Sequence, residues 1–203
     1  MRMAALAGKA LKCALPLALA FGLSGCINLG GGHKSAPSLL RLAAAQSAAA
    51  GSALSGNSSD AIIVVDPETD RSLAVTRLAV QLDDSRVAYL KDAQWVERPA
   101  HMFAALLAET IRAGGKHLVF ASGDAVTSGG SRLSGHLLDF GYDARSKVAV
   151  VRYDAVWTAP GGAVTTKRFE SRVKAVPAKP EVVGHALNQA ANDVAAQVAV
   201  WLG

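Results

Sequence analysis

Residues 147–158 read KVAVVRYDAVWT, and the alternation in this stretch decides the fold. Ala149, Val151, Tyr153, Ala155 and Trp157 share one face of an extended chain, while Arg152 and Asp154 take the other. A period of two with one apolar and one charged face is that of a strand in a sheet that buries a single side. The flanking segments repeat the pattern. RLSGHLLDFGYD (132–143) precedes it across Ala144-Arg145-Ser146, and AVTTKRFESRVKAV (163–176) follows it across Pro160-Gly161-Gly162. Both connectors have turn chemistry, so the three strands read as an antiparallel meander.

Moving outward, AIIVVD (61–66) is a β-branched run stopped by Pro67. LAVTRLAVQL (73–82) and RVAYL (86–90) are strands joined at Asp83-Asp84-Ser85, and HLVFAS (117–122) is a further strand. A helix is expected over 99–113, with Pro99 in its first turn and Gly114-Gly115 ending it. Met102, Phe103, Leu106, Leu107, Thr110 and Ile111 form its apolar stripe. A second helix is expected over 181–202, with Val183, Leu187, Ala190, Val194, Val198 and Trp201 on one stripe and Asn188, Gln189, Asn192 and Gln197 largely elsewhere. The order β-β-β-α-β-β-β-β-α implies an α+β domain in two layers. Its sheet is mostly antiparallel, and both amphipathic helices pack on one face.

The amino terminus has a different character. Arg2, Lys9 and Lys12 give a positive start, and residues 13–23 form a short uncharged run. A bilayer span needs roughly 18–20 apolar residues, so this pattern is a secretion signal rather than a permanent transmembrane helix. It ends in Leu23-Ser24-Gly25-Cys26, which resembles the lipobox of bacterial lipoproteins. In those proteins the signal is cut before the cysteine, whose thiol carries diacylglycerol and whose new amino group is acylated. Residues 1–25 then form the signal peptide, and Cys26 becomes the lipid attachment site, the covalent lipid being the one prosthetic group expected. Three acyl chains hold stably where one is marginal. No aspartate follows Cys26, so an outer-membrane destination is expected.

Removing residues 1–25 takes three basic residues and no acid, which reduces the formal charge of the 203-residue chain from +5 to +2. The apparent basicity is partly a targeting signal, and a nucleic-acid partner loses its main argument. With Cys13 removed and Cys26 acylated, thiolate chemistry, disulfides and Cys-based metal sites are excluded. Residues 26–60 are rich in Gly, Ser and Ala and contain no aromatic residue. They are expected to be a flexible tether with a reach of about 30 Å, in which 38–50 could form a transient helix. The folded domain is then 61–203.

Catalytic and metal patterns are not evident. His33, His101, His117, His136 and His185 are scattered without metal-ligand spacing. GSALSG (51–56) and GGSRLSG (129–135) lack the spacing that cradles phosphate. Asp83-Asp84 reads as a solvated turn. Lys167, Arg168, Arg172 and Lys174 form the densest basic stretch, with Arg168, Glu170 and Arg172 on one side of a strand. That side is expected to be a solvated face, with contact to phospholipid headgroups as the alternative.

The run RVAYLKDAQWVERPAHMFAALL (86–107), with Tyr89, Trp95 and Pro99, resembles the central segment of the ABC-type transport auxiliary lipoprotein family. These are the lipoprotein components of paraquat-inducible and MCE-type lipid transport systems. SGHLLDFGYD, the strand ending in AVWT, KRFES and the terminal Ala-rich helix follow the family's order, so the likeness extends over 71–201. The resemblance implies a periplasm-facing, outer-membrane-anchored accessory protein that is not an enzyme. Its implied partners are an MCE-domain periplasmic protein and the permease and ATPase of an inner-membrane ABC transporter, with self-association left open. Trp95, Glu97 and Arg98 are a candidate partner surface, the alternative being a helix start in which Trp95 packs in the core and Pro99 sits at N1. The alternative function is a carrier that itself holds an acyl chain between sheet and helices.

Overall fold

The computed structural model describes residues 38–121, 124 and 130–203. The chain forms β1 (Ile62–Val64), β2 (Glu68–Thr69), β3 (Arg77–Gln81), β4 (Val87–Gln94), α1 (Pro99–Ala113), β5 (Val119–Ala121), β6 (Ser131–Asp143), β7 (Val148–Thr158), β8 (Val164–Lys174) and α2 (Pro180–Leu202). The expected α+β order is present, with one addition. Strand β2 is two residues long and too short to show an alternation of its own. One boundary also moves. The strand expected from residue 73 begins at Arg77, because Leu73 and Ala74 donate their amides to Asp70 and Arg71 in a turn.

Strand β6 is the spine of an eight-stranded sheet. Along one edge it pairs antiparallel with β7, which pairs antiparallel with β8, as the meander requires. Its other edge takes β1 at 131–133, β2 at 136–137 and β3 at 141–143, each parallel. Beyond these, β5 lies parallel to β1, and β4 completes the expected hairpin with β3. The longest pairings are thus antiparallel, while three short strands lie end to end along one edge of β6. A parallel arrangement needs a crossover, and α1 supplies it between β4 and β5.

Both helices cover the face that the periodicity marks as apolar. Ala149, Val151, Tyr153 and Ala155 of β7 are buried there, beside Leu133, Leu137 and Phe140 of β6. Helix α1 buries Phe103 against Tyr153, edge to face at 5.3 Å, and α2 buries Val183, Leu187, Val194 and Val198 completely. Trp201 closes the layer on Phe169 at 5.6 Å. The Tyr153 hydroxyl donates to the Ser134 carbonyl at 2.6 Å, and burial pushes its pKa above the ordinary tyrosine value. In β6 the buried positions run 131, 133, 135, 137 and then 140, 142. A bulge between Leu137 and Asp139 changes the parity, so Asp139 joins Leu138 on the outer face.

The expected free tether through residue 60 is corrected over part of its length. Leu40 forms a parallel bridge with Trp95, and Leu40, Leu42 and Ala44 pack against the core. The amides of Ala43 and Ala45 donate to the side-chain oxygens of Asn188 and Asn192 at 2.8 and 2.7 Å. The transient helix suggested for 38–50 is also absent from the described residues, where this segment is extended up to a bend at 45–46. An extended chain can offer alternate backbone groups to a neighbouring helix, and these external bonds replace the helix's own.

Candidate functional site

Leu23, Ser24, Gly25 and Cys26 lie outside the described residues, as does His33. Trp95 is 1% exposed and packs edge to face on Phe140 at 5.4 Å. It is therefore a core residue and is removed from the candidate partner surface, because a contact residue must reach solvent. Glu97 and Arg98 remain exposed at the start of α1, where Arg98 is the N-cap position and Pro99 occupies the first turn. Glu97 approaches His101 Nε2 at 3.3 Å, while Asp66 lies 3.0 Å from His101 Nδ1. His136 meets Glu68 at 3.1 Å. Among the described residues no group of three His, Cys, Asp or Glu side chains is placed to hold a metal ion.

A concavity lies on the helix-free face of the sheet. It is a groove of about 610 Å³, with Val87, Leu138 and Val150 among its apolar lining and Asp139, Arg152 and Arg172 among its charged lining. Two turns legible in the sequence form its wall, since Arg145 donates to Asp84 at 2.6 Å. Asp83 accepts the amides of Ser85 and Arg86, which gives the first turn its shape. The bulge in β6 contributes Leu138 and Asp139.

Strand register converts the outer charges into rungs. Asp139, Arg152 and Glu170 stand opposite one another on β6, β7 and β8, as do His136, Asp154 and Arg168. Arg152 reaches Asp139 at 2.9 Å and Glu170 at 2.6 Å. Arg168 grips Asp154 with two bonds of 2.6 Å, and Arg172 meets both Glu170 and Asp143 at 3.3 Å. The bonds have electrostatic consequences. The Arg168 guanidinium holds Asp154 below the usual carboxylate range, and Arg152 does the same for Glu170. Asp143 is lowered first by the Ser146 hydroxyl and then by the Ser146 and Arg145 amides.

Single-strand reading placed Arg168, Glu170 and Arg172 on one solvated side, and the structure agrees. It missed Asp139, Arg145 and Arg152 as members of a common surface. Opposite charges on successive strands were visible as a signal, but only register says which charges face each other. The resulting face has paired, largely neutralised charge.

A family model described as ABC-type transport auxiliary lipoprotein component matches residues 41–199. The chain belongs to that family. The match to this auxiliary lipoprotein family begins at the docked segment, one residue after Leu40. A crystal structure of a Xanthomonas campestris protein of family DUF330 is similar at TM-score 0.69 and 15% identity, covering 81% of this chain and 94% of that one. A second solved structure, of an uncharacterized protein, is similar at TM-score 0.61 and 13% identity, covering 71% of this chain and 93% of the other. At these identities the two structures support the fold of the auxiliary lipoprotein domain. No curated protein matches the chain. Among the described residues, no helix is long and apolar enough to cross a membrane.

Proposed function

We propose that this auxiliary lipoprotein is an outer-membrane-anchored, periplasm-facing docking component of an MCE-type ABC lipid transport system. The family match over residues 41–199 carries the reading. The lipobox supports it by placing an acylation site at Cys26, ahead of the matched domain. Docking is favoured over carriage of an acyl chain because the centre of the layer between sheet and helices is closely packed, and the apolar cleft between the end of β8 and α2 lies at its margin. Phe103, Leu107, Tyr153, Leu187 and Val194 are all fully buried in that centre. The groove on the opposite face and the exposed Glu97 and Arg98 are the surfaces offered to a partner.

Crosslinking in intact cells followed by purification of this chain is expected to recover an MCE-domain protein together with the ABC permease and ATPase. Recovery of the chain without any of them would overturn the docking role. Cys26→Ser is expected to abolish acyl labelling and signal cleavage while leaving the domain folded. Labelling that persists in this variant would overturn the anchor. Native mass spectrometry of the domain distinguishes the carrier, which would retain a lipid adduct.

A further inference from the structure

Helix α2 carries a track for extended backbone. Gly184, Asn188 and Asn192 are spaced by four residues on one face, about 6 Å apart along the axis. Alternate residues of a strand repeat at about 6.6 Å, nearly the same interval. The match is used. The Ala43 amide donates to Asn188 Oδ1 at 2.8 Å, and the Ala45 amide donates to Asn192 Oδ1 at 2.7 Å. Asn192 Nδ2 returns a bond to the Ala43 carbonyl at 2.9 Å. At the third position there is no side chain, and Leu40 fills the space. A Cβ added to Gly184 would come within 2.8 Å of Leu40 Cδ2.

The bonds that hold the segment address main-chain groups. Besides the asparagines, Leu40 donates to the Gln94 carbonyl at 2.7 Å and accepts from Val96 at 2.8 Å. The Ala48 amide donates to Glu109 at 2.9 Å. Selectivity therefore comes from size: a leucine at the glycine notch, followed by residues small enough to lie close to the helix. The segment LRLAAAQSA (40–48) has that form. It is also attached lightly. Leu40, Leu42, Ala44 and Ala48 are half-buried, the intervening residues are exposed, and so is every residue from 51 to 60. Such a segment opens at a lower free energy than the core beneath it.

We propose that this face of α2, with the Trp95 bridge and Glu109, is a peptide-binding cleft occupied in cis by residues 40–48 as a releasable strap. The ligand class is an extended peptide with a leucine followed by small residues, recognised through its backbone. The consequence for length rests on the reading of Cys26 as the lipid anchor. With the strap seated, residues 27–39 separate that cysteine from the domain, and a fully extended chain of this length spans about 45 Å. With the strap released, residues 27–60 do so and span about 120 Å. The cleft thus gives the anchor chain a short and a long setting.

The test uses the full chain carrying Cys26→Ser, which takes acylation out of the experiment. In Asn188→Ala/Asn192→Ala, hydrogen exchange at Ala43, Ala45 and Ala48 is expected to accelerate about tenfold or more, with β6 and β7 unchanged. Unchanged exchange at the three alanines, or an equal acceleration in β6 and β7, would overturn the strap. In a second variant a protease site is placed within residues 51–56 and α2 is left intact. After cleavage, the amino-terminal fragment is expected to remain bound and to exchange with a fluorescent synthetic peptide of residues 38–50. Immediate loss of the fragment without peptide capture would overturn the cleft. A doubled mass of the uncleaved chain, with strap amides protected only in that dimer, would replace the cis occupant by a second copy. Because none of these readouts depends on lipidation, persistent acyl labelling of Cys26→Ser would remove the length consequence and leave the cleft standing.

Discussion

The two faces of the sheet are built from the same strands and hold together by different means. On the inner face, β7 presents Ala149, Val151, Tyr153 and Ala155 to two helices, and every one of them is fully buried. On the outer face, the intervening Arg152 and Asp154 bond to carboxylates and guanidiniums of the neighbouring strands. The inner face is stabilised by apolar surface removed from water, at roughly 25 cal/mol per Å². Half-exposed ion pairs contribute about 0–1 kcal/mol each, so the outer face adds little to stability. The difference teaches where change is tolerated. Loss of an inner contact destabilises the whole domain, whereas loss of an outer one alters a solvent-facing surface.

The strongest way to break the contrast is at the strand that serves both faces. Gly135 has a φ of 144°, and a Cβ there would lie 1.9 Å from the Asp154 carbonyl oxygen. Gly135→Ala must separate β6 from β7, and it is expected to lower stability by about 4 kcal/mol or more in chemical denaturation. A wild-type-like midpoint would show that the close approach of these strands is dispensable. Next, Phe103→Ala removes the fully buried ring that meets Tyr153. A loss of about 3–5 kcal/mol is expected, because neighbouring side chains only partly refill such a cavity.

The outer face should respond far less. Arg152→Ala leaves Asp139 and Glu170 flanking an empty rung, with an expected loss of about 1 kcal/mol or less in thermal or chemical unfolding. A loss as large as that of Phe103→Ala would erase the distinction between the faces.

Acid sharpens it. Asp143, Asp154 and Glu170 are held below their ordinary values in the folded state, so the unfolded chain takes up protons first as pH falls past about 4. Their contribution is full above the unfolded pKa and is lost as pH drops through the lower folded values. The melting temperature is therefore expected to fall between pH 5 and 3. Arg152→Ala should flatten part of that decline, because Arg152 is the first cause of the Glu170 shift. An unchanged slope in the variant would remove the rung from the acid response.

Much of this architecture was legible from periodicity. The helix expected over 99–113 is α1 to the residue, because Pro99 and Gly114-Gly115 mark its ends by local conformational preference. The strand around Tyr153 was legible because its two faces differ so sharply in polarity. The candidate surface at Trp95 was only half legible. An aromatic next to exposed charges reads equally as contact or core, and its burial against Phe140 depends on a strand some 45 residues away. The strap was hidden for a related reason. An Ala-rich stretch has almost no apolar pattern, and its binding sites, Asn188 and Asn192, lie about 145 residues further on.

By itself, the sequence determined which segments extend or coil, which of their faces is apolar, and that the run ending at Cys26 resembles a lipobox. These follow from the 2.0 and 3.6 residue periods and from short motifs, all of which act over a few neighbouring residues. Only the tertiary structure decided that three short strands share one edge of β6, that the outer charges pair into rungs, and that residues 40–48 lie along α2. Those features arise from backbone bonds and register between segments far apart in the chain, where a shift of one residue would exchange every face.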